Sequence, residues 1–219
     1  MDESKWERYA ALGGIWFVVL NVIAAFLPGA PPSTDDSAEK IAKYFSDHAG
    51  AIEAAQLLTV LGFIGLLWWF GSLWRLMVKA EDGRPRMAVV ALAGLALSGA
   101  IALAGGAITS TVALQHQDVG GGAKFFYILS LVLFASAGVG IVVHIAAVTS
   151  VSYRTKLFAP WINIIGWIAA LLFLIGTIGS ASDAAAFGFI GLFAFLAWSV
   201  WIVAVSLNVW NRTPAAAMG

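Results

Sequence analysis

The sequence predicts an all-α, polytopic membrane protein with six transmembrane helices in one bundle and a short amphipathic surface helix in the first outer loop. Hydrophobic residues make up 61% of the 219 residues and charged residues only 11%, against about 25% charged residues in a typical soluble domain. Six apolar runs each come close to the roughly 20 residues that a helix needs to cross a bilayer. We therefore expect residues 1–219 to form a single transmembrane domain.

The first apolar run, about residues 9–27, predicts the first span. A signal peptide is the alternative, because the small residues at 29–31 resemble a cleavage region. The run is longer than the apolar part of a signal peptide, which usually has about 7–15 residues, so we expect the helix to be retained. Three prolines, Pro28, Pro31 and Pro32, are expected to end it, since proline lacks the amide hydrogen that continues a helix.

The longest polar segment of the chain, residues 35–56, follows the first span. Its apolar side chains recur at helical spacing, which predicts an amphipathic helix over about residues 37–48 that lies flat on the membrane surface. Ile41, Tyr44 and Phe45 follow this spacing, and His48 continues the same helical stripe. Asp36 and Glu39, three residues apart, resemble the capping box that starts a helix. Gly50 is expected to separate this helix from the second span.

The remaining apolar runs predict five further spans. They cover about residues 51–77, 87–114, 123–150, 161–179 and 186–210. In the third span, small residues recur at every fourth position, which lets a neighbouring helix approach closely. These residues are Gly94, Ser98, Ala102, Gly106 and Ser110. We expect the third span to be central in the bundle.

The distribution of Lys and Arg predicts that both termini are cytoplasmic, because basic residues near the ends of spans concentrate on the cytoplasmic side. Of the 12 basic residues, those on the side of the termini are Lys5, Arg8, Arg75, Lys79, Arg84, Arg86, Arg154, Lys156 and Arg212. Those on the other side are Lys40, Lys43 and Lys124. We therefore expect a multi-pass protein of the plasma membrane, with the lipid bilayer as its first partner.

Polar residues near the outer ends of the spans form the first candidate binding site. They are His48, Glu53, Gln56, His116 and Asp118. These residue types suit zinc or a hard cation, but none of their spacings matches a metal-ligand signature, such as two histidines four residues apart. A solvated outer surface with local caps is the alternative, and we assign no metal.

Two polar residues within the predicted spans, Asn21 and His144, form the second candidate. Ionisable residues inside a membrane usually face the interior of the bundle, and His144 shares a helix face with Gly140 and Ser130. We expect it to make a structural hydrogen bond to another helix, with a ligand contact as the alternative. Haem needs a second histidine at similar depth, and there is none, so no cofactor is predicted. Asn21 needs a hydrogen-bond partner, because no water is available at that depth.

Composition and motifs argue against several functions. The absence of cysteine excludes disulfides and thiolate catalysis, and no G-x-S-x-G, H-E-x-x-H or phosphate-binding loop is present. Twelve basic and twelve acidic residues, with the basic residues scattered, do not indicate nucleic-acid binding. Lys, Arg, Asp and Glu are absent from the middle of every predicted span, which disfavours ion-coupled transport.

Three segments carry a resemblance to known proteins. They are E-R-Y-A-A-L-G-G-I-W-F-V-V at 7–19, I-A-K-Y-F-S-D-H-A-G at 41–50 and G-S-L-W-R at 71–75. Together with the proline-containing outer loop, they resemble a family of multi-pass membrane proteins of unknown function that is common in actinobacteria. The resemblance covers about residues 1–80 and, beyond them, only the helix layout. It implies the same topology and an envelope location, and it implies no activity.

Two functional hypotheses remain open. The first is a small integral membrane protein without catalytic activity, which acts as an accessory or scaffold subunit or binds lipid or an apolar ligand within the bundle. It would work with a membrane-protein partner or as a homo-oligomer. The second is a membrane enzyme or permease with an outward-facing polar site near Glu53, His116 and Asp118. It requires these three side chains to converge.

Overall fold

The computed structural model describes residues 9–179 and 186–212, which are almost entirely helical. The long helices are α1 (Gly13–Phe26), α3 (Ala49–Ala80), α4 (Arg86–Leu114), α6 (Ala123–Thr155), α7 (Pro160–Gly179) and α8 (Ala186–Arg212). The short helices are α2 (Ala38–Asp47) and α5 (His116–Val119), before a 3-10 turn at Gly120–Gly122. Within these residues, six helices are long and apolar enough to cross a membrane, which confirms the predicted architecture. Lys5, Arg8 and the predicted turn at 180–185 lie outside the described residues.

The six long helices form a closed ring. Each packs against the next long helix along the chain, and α8 returns to pack against α1. Trp69 of α3, His144 of α6 and Trp201 of α8 are buried inside this ring. On its outer surface, large apolar side chains such as Trp16 and Phe125 are 53% and 67% exposed. Such a surface suits contact with lipid, because lipid tails are as apolar as these side chains.

The most extensive helix contact in the bundle is a close crossing that joins α4 to α6. Gly94 and Gly140 face each other there: a Cβ added to Gly94 would lie 2.6 Å from the carbonyl oxygen of Gly140 and 2.8 Å from the amide nitrogen of His144. Further along α4, Gly106 packs against the side chain of Gln56 from α3. The row of small residues therefore serves packing against neighbouring helices, as its spacing predicts. The expected central position of the third span is wrong, because α4 is one member of the ring.

Helix ends differ from the sequence prediction at three places. Gly50 does not break the chain: α3 begins at Ala49, and the break lies at His48. α6 continues beyond the predicted end at 150 to Thr155, and Lys156 ends it in the left-handed conformation, with φ of 55°. α3 likewise continues to Ala80. Loss of apolar character marks the edge of the bilayer, whereas backbone hydrogen bonds carry a helix past that edge.

The cap of α2 lies one residue later than predicted. Ser37 is the N-cap, and its Oγ accepts a hydrogen bond from the amide of Lys40 at 3.3 Å. Asp36 precedes the helix instead, where it accepts a hydrogen bond from the amide of Ser33 at 2.9 Å. The predicted capping role of Asp36 is therefore wrong, because Ser37 occupies the extended conformation that an N-cap requires.

We predict that Gly94→Ala lowers the free energy of unfolding by about 1–3 kcal/mol, because the added methyl group overpacks the α4–α6 crossing. Gly71→Ala is the matched control: Gly71 also lies within a long helix, but a Cβ there would meet no atom within 4 Å. That control should be neutral or slightly stabilising, since alanine favours a helix more than glycine does. Thermal unfolding of both variants in the same detergent measures the difference, and equal effects would contradict the close crossing.

Candidate functional site

The segment 28–48, which we call the elbow, links α1 to α3 and packs onto the bundle. Ile41 and Phe45, the apolar face of α2, are buried in a small core of their own. The other buried members of that core are Ile52, Val112, Ala113, Ala123 and Tyr127. The amphipathic pattern of α2 therefore serves contact with the ends of α3, α4 and α6.

Two side chains of α6 tie the irregular part of the elbow in place. The ammonium group of Lys124 donates to the carbonyl oxygen of Asp36 at 2.8 Å, and the hydroxyl of Tyr127 donates to the carbonyl oxygen of Pro32 at 2.8 Å. Within the elbow, the hydroxyl of Tyr44 donates to the carbonyl oxygen of Pro28 at 3.2 Å. These bonds satisfy carbonyl groups that a segment without regular structure leaves without backbone partners.

Charge also stabilises the start of α2. The Lys40 ammonium donates to Asp36 Oδ1 at 2.7 Å. This hydrogen bond, supported by the amide of Ser33, holds the pKa of the Asp36 carboxyl below its usual value of 3.8. A cleft of about 400 Å³ lies beside this pair. It is lined by Ala30, Pro31, Pro32, Ser33, Asp36, Lys40 and Tyr44.

The two histidines of the predicted outer site each form a hydrogen bond to a backbone carbonyl that is close to them in sequence. His48 Nδ1 donates to the carbonyl oxygen of Tyr44 at 2.9 Å, and its ring stacks on the Tyr44 ring with centroids 4.6 Å apart. His116 Nδ1 donates to the carbonyl oxygen of Ala113 at 2.8 Å. Both bonds are local, since each joins residues three or four apart.

The remaining members of that outer site do not join the histidines. Glu53 and Asp118 are exposed, and Gln56 packs against Gly106. Among residues 9–179 and 186–212, no group of three or more His, Cys, Asp or Glu side chains is placed to hold a metal ion. The polar outer site that the enzyme or permease hypothesis requires therefore receives no support from this geometry.

His144 lies in the centre of the ring and is fully buried. Its Nδ1 donates to the carbonyl oxygen of Ala91 on α4 at 3.0 Å, which is the expected hydrogen bond between helices. α6 continues about three turns beyond His144, to Thr155. The role of His144 in binding a ligand stays a prediction.

Aromatic rings surround the His144 imidazole. The ring centroids of Trp69, Phe70 and Trp201 lie 6.2, 5.5 and 5.9 Å from it. Two polar atoms in this cluster, His144 Nε2 and Trp69 Nε1, are buried and have no hydrogen-bond partner within the described residues. The cluster fills the interior and offers few polar groups, so it has the properties of a packed core with one polar contact between helices.

Asn21 satisfies its amide locally. Its Nδ2 donates to the carbonyl oxygen of Phe17, one turn earlier in α1, at 3.0 Å. The side chain packs against Gly62 of α3, where a Cβ would clash with it. The expected hydrogen-bond partner is therefore on its own helix, and Asn21 serves the α1–α3 contact.

One feature was not foreseen as a site in the sequence. At the end of the bundle opposite the elbow, a cleft of about 690 Å³ is lined partly by Arg84, Arg86 and Arg154. The basic residues indicated only topology, because Arg154 is far from the other two in sequence. Nor does the sequence identify Lys124 and Tyr127 as partners of the elbow. The sequence does contain a signal for the cleft. Every second loop of a six-span protein lies on the same side of the membrane, so the loop with Arg84 and Arg86 shares a side with Arg154 at the end of α6.

We predict that Tyr127→Phe weakens the attachment of the elbow and costs about 1 kcal/mol of stability, the usual net contribution of one hydrogen bond. Hydrogen exchange of the backbone near residues 33–37 should become faster. Tyr153→Phe is the matched control, because Tyr153 is 76% exposed and its hydroxyl makes no hydrogen bond to the described residues. Unchanged exchange in Tyr127→Phe would show that the bond to Pro32 does not hold the elbow.

A second prediction concerns pH. Because the folded state lowers the pKa of Asp36, the ionised carboxyl contributes stability at neutral pH that is lost as the pH falls below the usual value of 3.8. Asp36→Asn should therefore be less stable than the wild type at pH 7 and should approach it near pH 3. Thermal unfolding across this range tests it, with Asp35→Asn as control. A stability difference that does not depend on pH would refute the assignment to charge.

The geometry as a whole offers hydrogen bonding, packing and positive charge. Within the described residues, it brings together no set of three or more His, Cys, Asp or Glu side chains that could hold a metal ion. Comparisons with known proteins add no function to this picture: no protein-family model, no curated protein and no solved structure matches the chain.

Proposed function

We propose that this multi-pass protein acts by binding rather than by catalysis, as an accessory or scaffold subunit of the plasma membrane that contacts lipid and a membrane-protein partner or a second copy of itself. The observation that carries the proposal is the filled interior of the helix ring. The centre is occupied by the rings of Trp69, Trp201 and His144. Binding of a lipid or a partner is therefore assigned to the surface of the bundle.

The outer surface supports this proposal. Aromatic and branched apolar side chains project from several helices, including Trp16 of α1, Phe125 of α6 and Trp161 of α7. Such side chains are suited to packing against lipid tails or another transmembrane helix. The two clefts lie at opposite ends of the bundle, one at the elbow and one at the loop between α3 and α4. A lipid or partner is therefore better accommodated around the bundle than deep within it.

Orientation belongs to the proposal as well. The end opposite the elbow carries Arg84, Arg86, Arg154 and Lys156 in its loops and helix ends, which favours a cytoplasmic location for that end and for both termini. The elbow would then face the outside. A tag that reports its side of the membrane, or that a protease can cut, would be inserted after Gly83 and, in a separate variant, after Gly120. Each variant would then show on which side of the membrane its loop lies.

The test of the proposed function is purification of the full chain from native membranes in a polymer that retains lipid, followed by mass spectrometry. We expect lipid and at least one membrane protein, or a second copy, at a fixed ratio. A variant that combines Glu53→Gln, His116→Gln and Asp118→Asn should retain the same components and thermal stability, because no hydrogen bond or ion pair joins these side chains to one another within the described residues.

Either of two results would count against this function. One is a monodisperse free monomer that carries no protein and no bound lipid. The other is loss of the associated components in the triple variant, with its fold retained, since that would favour the polar outer site of an enzyme or permease.

A further inference from the structure

A basic cleft lies at the end of the bundle opposite the elbow, between the loop that joins α3 to α4 and the last turns of α6. Its volume is about 690 Å³. It is lined by Ala80, Glu81, Asp82, Arg84, Arg86, Met87, Val151, Arg154 and Thr155. Three of these side chains carry guanidinium groups, and Met87 and Val151 supply apolar surface beside them.

The three arginines are available to a ligand. Arg84, Arg86 and Arg154 are exposed, and none of them forms a hydrogen bond or an ion pair through its side chain with the described part of the chain. The ion pairs found there, Lys40 with Asp36 and Lys43 with Asp47, are both at the elbow. The positive charge of the cleft is thus not neutralised by ion pairs within residues 9–179 and 186–212.

Of the two carboxylates in the lining, Glu81 is already engaged. Its Oε1 accepts a hydrogen bond from the amide of Met87 at 2.8 Å, and its Oε2 accepts one from the amide of Ala88 at 3.0 Å. It therefore caps the N-terminus of α4, where the helix dipole balances a negative charge. Asp82 is exposed and remains as one carboxylate against three guanidinium groups.

The loop holds two of the arginines in a defined position. Asp82 and Gly83 adopt positive φ angles of 53° and 77°, and the amide of Gly83 donates to the carbonyl oxygen of Val78 at 2.9 Å, which closes the end of α3. The amide of Arg84 donates to the carbonyl oxygen of Glu81 at 3.0 Å. A folded loop loses less conformational entropy on binding than a flexible one.

We propose that this cleft binds the phosphate of an anionic phospholipid headgroup through Arg84, Arg86 and Arg154. Guanidinium groups match phosphate oxygens in charge and in paired hydrogen-bond geometry. The cleft lies at the ends of the long apolar helices α3, α4 and α6, and basic pockets between such helices are suited to anionic headgroups. The proposal deepens the proposed function, because it assigns a site to the lipid binding on which it rests.

The experiment titrates the purified full chain, in zwitterionic detergent micelles, with phosphatidylglycerol and with phosphatidylcholine, and follows binding by native mass spectrometry. Arg84→Gln combined with Arg154→Gln should weaken phosphatidylglycerol binding about 30-fold, since each basic residue at a membrane surface contributes about 1 kcal/mol. Binding of phosphatidylcholine should be weaker than that of phosphatidylglycerol and should change little in this variant.

Lys79→Gln combined with Lys156→Gln is the matched control. It removes the same charge from the same end of the bundle, but neither lysine lines the cleft. Its affinity for phosphatidylglycerol should stay within about threefold of the wild type, because neither ammonium group lies in the cleft, and an ammonium lacks the paired hydrogen bonds that a guanidinium makes to a phosphate. Asp82→Asn should raise the affinity about fivefold, and asparagine tolerates the positive φ of that position.

Three results would overturn the proposal. An equal loss of phosphatidylglycerol affinity in the lysine and arginine double variants would indicate general electrostatic attraction rather than a specific site. Unchanged binding in the arginine variant would remove the site altogether. Competition by inorganic phosphate at the affinity of the lipid would assign the cleft to a free anion. If one of these results is found while the wild-type chain still co-purifies lipid and a partner at a fixed ratio, the cleft alone fails and the proposed function stands.

Discussion

The close crossing of α4 and α6 is the contact on which the rest of the bundle depends. Gly94 and Gly140 have no side chains, so the two backbones approach until only a few ångströms separate them. At that separation His144 Nδ1 reaches the carbonyl oxygen of Ala91. A pair of larger residues would hold the helices apart and leave a buried imidazole without its partner, which is costly in an apolar environment. Packing thus comes first, and the polar contact follows from it.

His144 in turn organises the centre of the ring. Its imidazole forms a triangle with the rings of Trp69 and Trp201, whose own centroids are 6.3 Å apart. Three rings from three helices meet there, so α3, α6 and α8 are held in register by aromatic contacts that favour edge-to-face geometry. The helices therefore contact one another both around the ring and across its centre, as in a soluble core, although the outer surface is apolar.

Sequence patterns predicted the architecture well and the sites poorly, for a physical reason. The length of an apolar run and the spacing of apolar residues are local properties of the sequence, so the six spans and the amphipathic α2 were predictable. The crossing at Gly94 was predictable for the same reason, because four-residue spacing places small residues on one face. Contacts between distant segments were not: neither the bond from Tyr127 to Pro32 nor the meeting of Arg84 with Arg154 in one cleft leaves a local signal. Conversely, the sequence places His116 and Glu53 in one candidate site only because both lie near the outer ends of predicted spans.

The contact between the first and last long helices has a consequence for biosynthesis. Gly14 of α1 packs against Ser206 and Ile202 of α8, and the rings of Tyr9 and Trp210 lie 6.1 Å apart. Helices enter the membrane in the order of translation, so α1 can pack against α3 but not against α8 until α8 has been synthesised. Until then its second face is open to lipid or to a chaperone. The ring closes only after α8 has been translated, which makes α8 the element that completes the ring.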